Sequence, residues 1–413
     1  MRKLCLTVIG IYIMFLGAFA QKTSRPDTVY ETKPLRIDEV NLVSSYYTQE
    51  GNHSAVTGGI GTEHVTDLSN GLNVKFVGWD ANHSKHSLEL GLGLDHHTAA
   101  SSAYVSKSGA SKTGGTRIYP SVEWTVENLK GNSFGIGVYY SSEYNYKSFG
   151  MDVHASRKIG TNTEINGKIS GFFDKVKMIY PSELIPAVVV TSPTTYTTAS
   201  GNTVTSGGRS SKSSIPSNPR NTYTASLSVA QIINTRMQFS VTTDLTAQNG
   251  YLGLPFHRVY FTDGTVHVEN LPDIRTKLPI GFRFNYFMGD HVVLRTFYRY
   301  YMDSWGMRAH TAELEVPVKI NSFFSIAPFY RYYTQTAATY FGAYGTHTAS
   351  DKYFTSNYAL SALTSQFVGA GIHLAPPKGI LNQHFNALDL RYGHYTQSTE
   401  LYASVLTFAF TFK

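Results

Sequence analysis

KLPIGFRFNYFM, residues 277–288, is the stretch of sequence that decides the fold. Apolar side chains occupy every second position from Leu278 to Met288, and small, polar or charged residues lie between most of them. A period of two is the pattern of a β-strand with two different faces. Turn residues follow at 289–290, and the alternation restarts at residues 292–300, 312–320 and 324–332. The sequence therefore predicts long strands joined in series by tight turns.

The chemistry of the two faces indicates which kind of sheet these strands form. One face is rich in Tyr and Phe at the strand ends, and the other carries charges among small residues. A transmembrane β-barrel has this pattern, because its apolar face meets lipid and its polar face lines a lumen. The alternative, a soluble all-β sandwich, would expose the charged face to water. In the barrel, the inward charges are predicted to be Arg283, Arg295, Arg299, Glu313, Glu315, Arg331, Asp389 and Arg391.

The alternation continues along most of the chain. It predicts an all-β, transmembrane antiparallel up-and-down β-barrel of about 16 strands, with 14 to 18 compatible. Long segments near residues 101–115, 181–220, 250–274 and 335–365 interrupt the strands, and short turns lie between them. This asymmetry is typical of short periplasmic turns and long outer loops. A lumen of this width holds an aqueous channel unless something fills it.

The N-terminus has the features of an export signal. Arg2 and Lys3 precede an apolar core that ends in a small-residue cleavage site. Residues 1–20 are predicted to be a signal peptide cleaved after Ala20, residues 21–37 a periplasmic lead-in, and residues 38–413 the barrel in the bacterial cell outer membrane. Cys5 is the only cysteine and leaves with the signal, which excludes disulfides and thiolate chemistry. The formal net charge is +7, but the basic residues are not clustered in a run of Lys and Arg. Nucleic acid is therefore not an expected partner.

Two stretches carry a resemblance to a known family. Residues 50–63 read EGNHSAVTGGIGTE, and residues 91–101 read GLGLDHHTAAS. Together with the chain length, they resemble a family of predicted bacterial outer-membrane β-barrels whose domain has no known function, over the whole mature chain. The resemblance implies the fold and the location. It brings no activity and no site residues.

The last strand indicates how the barrel is assembled. Leu406, Phe408, Phe410 and Phe412 alternate with small residues. A C-terminal amphipathic strand of this kind resembles the signal read by the outer-membrane assembly machinery, although Lys413 makes the last aromatic penultimate. The expected partners are therefore outer-membrane lipid and the barrel assembly machinery, with a periplasmic partner protein as a further possibility.

Three groups of residues are candidates for a functional site. The lumen charges could form a constriction that selects solutes, or they could pair across strands and brace the wall. The glycine-rich segment could fold into the lumen as a gate or ligand site, or form a strand at a barrel bend. Its residues are Glu50, His53, Gly58, Gly59, Gly61 and Glu63. The candidates for a metal site are Asp95, His96 and His97, although adjacent histidines on a strand point to opposite faces.

The predicted function is a channel or transporter for a small solute. The alternative is a non-conducting barrel that anchors or sleeves a periplasmic or surface partner protein. The sequence contains no nucleophile elbow, metalloprotease helix or phosphate loop, so no catalytic residue and no cofactor is predicted. A barrel hydrolase assembled from distant strands stays open as an alternative.

Overall fold

The structure, a computed structural model, describes residues 32–98, 114–181, 184, 195–197, 203–205, 215–380 and 385–412. Sixteen antiparallel strands form its main sheet. Their bounds are β1 Lys33–Glu50, β2 Val65–Trp79, β3 Lys85–His97, β4 Gly115–Glu127, β5 Ser133–Ser142, β6 Tyr146–Ile159, β7 Thr163–Lys177, β8 Ser217–Asn234, β9 Met237–Gly250, β10 Ile274–Met288, β11 Val292–Asp303, β12 Arg308–Glu315, β13 Phe324–Gln335, β14 Leu363–Leu374, β15 Ala387–Gln397 and β16 Leu401–Phe412.

The sheet closes on itself. Each strand pairs with its neighbour in sequence, and β16 pairs with β1, where Thr411 lies opposite Asn41. Closure gives every strand two hydrogen-bonded partners, which is the condition for a sheet to lie in lipid. The prediction of a closed antiparallel barrel of about 16 strands is confirmed.

The pairing register keeps two chemically different faces continuous around the ring. The outward face carries large apolar side chains that are strongly exposed, such as Ile169 at 71% and Leu245 at 60%. The inward face carries most of the charged and polar residues of the strands, because side chains opposite each other in the register share a face. An apolar exterior around a polar interior is the arrangement of a membrane-spanning barrel.

The two rims of the ring differ in their connections. Loops 51–64, 251–273 and 336–362 follow odd-numbered strands and lie at one rim, which we call the mouth; the segments 98–114 and 178–216, which are only partly described, also follow odd-numbered strands. The opposite rim holds mostly short turns, such as 160–162, where Gly160 has a φ of 65°. This is the predicted alternation of long outer loops and short periplasmic turns. Among the residues described, no helix combines the length and the apolar character needed to cross a membrane.

Some boundaries differ from the predictions. β1 begins at Lys33, so the end of the predicted lead-in (21–37) is already strand. β12 stops at Glu315, because Val316 and Pro317 interrupt the ladder before pairing resumes at Val318–Lys319; proline has no N–H to donate. The signal peptide, the cleavage site, most of the loops near 101–115 and 181–220, and Lys413 lie outside the described residues.

Candidate functional site

The eight predicted lumen charges lie on the inward face of five strands between β10 and β15. Arg283 is on β10, Arg295 and Arg299 on β11, and the remaining five on β12, β13 and β15. The register brings several of them opposite one another, with Arg295 facing Glu315 and Glu313 facing Arg331. The set therefore lies on one side of the lumen, and we call it the arginine wall.

Pairing within the arginine wall is incomplete. Glu315 accepts hydrogen bonds from Arg295 Nη1 and Arg391 Nη1, each at 2.9 Å. Asp389 Oδ1 lies 2.7 Å from His373 Nδ1. Within the described part of the chain, the other four make no ion pair: Arg283, Arg299, Glu313 and Arg331. Bracing across strands thus accounts for only part of the wall.

A cavity of about 470 Å³ opens on the half of the arginine wall that is farther from the mouth. Its lining includes paired and unpaired members of the set, together with Asn285 and Phe297. The unpaired Arg283 and Glu313 can therefore meet a solute in the lumen. The inward face of β1 to β9 has the reverse balance, with carboxylates slightly outnumbering basic residues: Glu39, Asp67, Glu89, Asp95, Glu123, Glu127, Asp152, Glu164, Asp174 and Asp244 against Lys33, Arg36, Lys75, Lys85, Arg117, Lys158, Lys168 and Arg220.

The structure does not bring the predicted metal candidates together. His96 lies on the outward face and contacts Thr116 Oγ1 at 2.9 Å, whereas His97 lies inward, 3.2 Å from Glu143. Asp95 accepts a hydrogen bond from the Tyr119 hydroxyl at 2.7 Å. The three side chains therefore have separate partners.

A different group has the spacing of metal ligands. Among the described residues, the ligand atoms of Glu123, Asp152 and His154 lie within 4.8 Å of one another on the inward face. Asp152 is nevertheless already satisfied: His154 Nδ1 lies 2.9 Å from Oδ1, while the Tyr139 hydroxyl and Lys168 Nζ lie 2.5 and 3.2 Å from Oδ2. Lys168 supplies the positive charge that a metal ion would otherwise bring. We therefore interpret this group as a set of contacts that stabilises β4 to β7 from inside the barrel.

Three loops meet across the mouth and form its best-packed region. They are mouth loop 1 (51–64), mouth loop 2 (251–273) and mouth loop 3 (336–362). Mouth loop 1 joins β1 to β2, and mouth loop 2 joins β9 to β10 on the far side of the ring. Val259 and Thr355, in loops 2 and 3, are completely buried. Since loops from opposite arcs touch, they extend over the opening.

Mouth loop 1 contains the predicted glycine-rich segment. It is a loop with a short 3₁₀ turn at Ala55–Thr57 and does not form a strand at a barrel bend, so that alternative was wrong. His53 stacks on the Tyr358 ring at 3.8 Å, and its Nδ1 lies 3.0 Å from the carbonyl oxygen of Gly59. Arg258 Nη1 donates a hydrogen bond to Val56 O at 2.7 Å. Loop 1 is therefore held by both of the other mouth loops.

Two features of this segment require glycine: a positive φ angle and, at Gly58 and Gly59, a lack of space for a Cβ atom. Gly58, Gly59 and Gly61 all have φ between 81° and 85°, which strains other residues. A Cβ on Gly58 would lie 2.6 Å from the Tyr260 ring, and one on Gly59 would lie 2.7 Å from the carbonyl oxygen of Ser356. Gly61 has more space, since its nearest contact would be at 3.4 Å. Glu50, at the start of the segment, is exposed and lies 3.7 Å from His64.

Buried ionisable residues tie mouth loops 2 and 3 together. Glu269 is only 4% exposed and accepts hydrogen bonds from Thr355 Oγ1 at 2.5 Å and Leu254 N at 2.8 Å. His257 Nδ1 lies 3.5 Å from its carboxylate. Burial raises the pKa of Glu269, but His257 and these hydrogen bonds outweigh it and hold the pKa below its ordinary value. For Glu63, in contrast, burial dominates and raises the pKa, against the opposing effect of His53 and His257.

Inward-facing strand residues anchor these loops to the wall. Arg220 on β8 donates to the carbonyl oxygens of Tyr251 and Gly253 at 2.9 and 3.1 Å. Gln335 on β13 donates to those of Ala359 and Ser361. A small apolar core fills the space between the loops and the rim: Leu271, Trp305, Met307 and Ala338. Because the anchors are inward side chains, the loops bend inward over the lumen.

Sequence reasoning missed the contributions of mouth loops 2 and 3. It located both as long loops but assigned no role to His257, Arg258, Glu269, Thr355 or Tyr358. A signal was present, since residues 251–261 read YLGLPFHRVYF and are far more apolar than a solvated loop requires. It also missed the Asp152 group, although the same period of two places those side chains inward.

A family model described as Protein of unknown function (DUF3570) matches residues 96–402. The match begins after residues 50–63, so the first of the two stretches that carry the resemblance lies outside it. No protein with a curated description matches the chain.

Several solved structures are similar to this one. A bacterial polysaccharide outer membrane secretin has 9% identity and a TM-score of 0.44, over 91% of this chain and 98% of that one. Acinetobacter baumannii OccAB3 has 8% identity and a TM-score of 0.40, over 91% and 98%. Pseudomonas aeruginosa OpdQ has 8% identity and a TM-score of 0.39, over 93% and 99%. At this level of similarity, their names carry no information about what this chain binds or transports.

Proposed function

The chain belongs to the family described as Protein of unknown function (DUF3570), and we propose that it is an outer-membrane channel for small polar solutes whose entry is controlled by the three mouth loops. The observation that carries this proposal is a closed ring whose inward face keeps unpaired charges below a packed set of loops. Channel walls use such charges to select solutes.

The chemistry of the exterior supports the proposed location. A closed ring with apolar side chains outside is stable in lipid, and long loops on one rim with short turns on the other match the outer and periplasmic sides. The last strand, with its outward Phe408 and Phe410, is the segment we expect the assembly machinery to read.

Incomplete pairing favours a channel over a wall that is merely braced. Charges that serve only to brace the barrel should all have partners, since an unpaired charge does not link one strand to another. Arg283, Arg299 and Arg331 make no ion pair with any described residue, yet they face the lumen. A permeating ion or polar solute gives them a partner.

The decisive experiment is conductance in planar bilayers with a matched pair of arginine variants. Arg258→Ala removes the hydrogen bond from mouth loop 2 to mouth loop 1, so we expect longer or larger open events than in the wild type. Arg236→Ala, in an exposed turn at the opposite rim, should behave like the wild type. A wild type and an Arg258→Ala variant that both fail to conduct would overturn the channel.

The second candidate is a non-conducting barrel that holds a partner protein. Tight packing of the mouth loops is the observation that favours it, since a permanently closed mouth presents a fixed surface. The same experiment separates the two candidates, because a permanently closed mouth predicts a wild type that never conducts, whereas a mouth that opens predicts open events in the wild type.

We assign no enzymatic activity. His154 Nε2 lies 3.1 Å from Thr125 Oγ1 and His154 Nδ1 lies 2.9 Å from Asp152, which is the order of a nucleophile, a base and an orienting acid. Thr125, however, lies inside β4, where the ladders to β3 and β5 use the backbone N–H groups that an oxyanion hole needs.

A further inference from the structure

Three arginines of the arginine wall are stacked on phenylalanine rings. The guanidinium carbon of Arg391 lies 3.9 Å from the centre of the Phe329 ring, that of Arg331 lies 4.9 Å from Phe367, and that of Arg283 lies 5.5 Å from Phe297. Each distance is within the range of a cation–π contact. The three pairs lie on inward faces of β10, β11, β13, β14 and β15.

Glycines make room for these rings against the wall. A Cβ on Gly393 would lie 2.3 Å from Phe367 Cζ, and one on Gly369 would lie 2.6 Å from Phe329 Cζ. A Cβ on Gly281 would lie 3.2 Å from Phe297 Cε2. The rings therefore occupy the space of missing side chains, and Phe329 is only 4% exposed. Each stack is a layer of glycine, phenylalanine and arginine.

This layering fixes an arginine without using up its hydrogen-bond donors. A ring contacts the flat face of the guanidinium group, whereas the N–H donors point outward in its plane. Arg283 and Arg331 make no ion pair with any described residue, so their donors are not committed to a carboxylate. Arg391 gives one nitrogen to Glu315.

We propose that these stacked arginines form a binding strip for small oxyanions, either carboxylates or phosphates, along the arginine wall. This proposal rests on the proposed channel and names the class of solute that it favours. A held guanidinium group offers two parallel donors to one oxyanion, which a spherical halide cannot use. The carboxylates opposite repel the same anion and direct it to this wall.

The test is a measurement of reversal potentials in planar bilayers with chloride, acetate and phosphate gradients. For the wild type, we expect acetate and phosphate to permeate better relative to chloride than their mobilities in water predict. Arg331→Lys keeps the charge but loses the two-donor fork, so the oxyanion-to-chloride ratio should fall roughly fivefold while the anion-to-cation ratio changes little. Phe367→Leu removes the platform and should have the same effect.

The controls separate the failure of this proposal from the failure of the channel. Arg157→Lys on β6 faces lipid and should leave every ratio unchanged. A conducting wild type without oxyanion preference, or with a preference that both wall variants retain, would overturn the strip and leave the channel intact. A wild type that never conducts overturns both. Heat-dependent migration on gels shows whether each variant has folded, and Arg283→Lys replaces Arg331→Lys if that variant does not fold.

Discussion

At the scale of single residues, the glycines of mouth loop 1 give the sharpest prediction. Gly59→Ala combines a strained φ with a collision against Ser356 and Tyr358, whereas Gly61→Ala introduces only the strained φ. We expect Gly61→Ala to cost about 1 kcal/mol of loop stability and Gly59→Ala clearly more. Hydrogen exchange of residues 51–63 measures this difference.

Gly160→Ala is the control for backbone strain alone. Gly160 also has a positive φ, at 65°, but it lies in a turn at the opposite rim with no atom within 4 Å of the added Cβ. It should leave the exchange of the mouth loops unchanged. If Gly59→Ala and Gly61→Ala accelerate exchange equally, the close approach of loop 1 to loop 3 is not what holds it.

Residue positions were predictable on the strands, but their partners were not. Period two assigns Glu315 to the inward face from the local sequence alone. It cannot show that Glu315 joins Arg295 to Arg391, because Arg391 is 76 positions away and the register across intervening strands decides that contact. For the same reason, the sequence could not distinguish the unpaired Arg299 and Arg331 from the arginines that form ion pairs.

At the scale of elements, β8 allows a matched test of its two faces. Leu227 is 49% exposed on the outward face, and Ser226 points inward between Lys168 and Asp244. Leu227→Arg places a charge in lipid and should cost about 2–4 kcal/mol near the bilayer midplane, whereas Ser226→Arg should cost much less. Urea unfolding in lipid vesicles compares the two. Equal losses would mean that the outward face does not meet lipid.

The pairing of mouth loops 2 and 3 should depend on pH through Glu269. Its pKa is lowered in the folded protein, so the stability it contributes is complete above the ordinary pKa of a glutamate and is lost as the pH falls through the lower folded value. We expect exchange protection of residues 254–269 to persist at pH 7 and to fall below about pH 4.

Two variants identify the group responsible for this loss. Glu269→Gln should loosen the loops already at neutral pH, because the buried contact with His257 loses its charge. Asp263→Asn should not, although the Asp263 pKa is also lowered, because hydrogen bonds with Thr265 at an exposed loop tip lower it there. If Glu269→Gln keeps full protection at pH 7, the pair does not hold the loops.

At the scale of the whole molecule, the barrel was predictable and the mouth was not. Strand number, closure and the asymmetry of the rims follow from alternation and turn spacing, both of which are local. Contacts of mouth loop 1 with loops 2 and 3 join residues about 200 and 300 positions apart, such as Val56 with Arg258 and His53 with Tyr358. Such contacts leave no periodic pattern in the sequence. Their only sign there is a loop unusually rich in apolar residues or in glycine.

Those contacts across the mouth also have a consequence for the cross-section of the barrel. A closed ring in which each strand contacts only its two neighbours can flatten toward an ellipse, because the angle between each pair of neighbouring strands needs to change only slightly. Here the arc of β1 and β2 is tied to the arc of β9 and β10 through packed side chains. Breaking the contacts between mouth loops 1 and 2 therefore allows the ring to change shape. The width of its opening then depends on the lateral pressure of the bilayer as well as on the size of the solute.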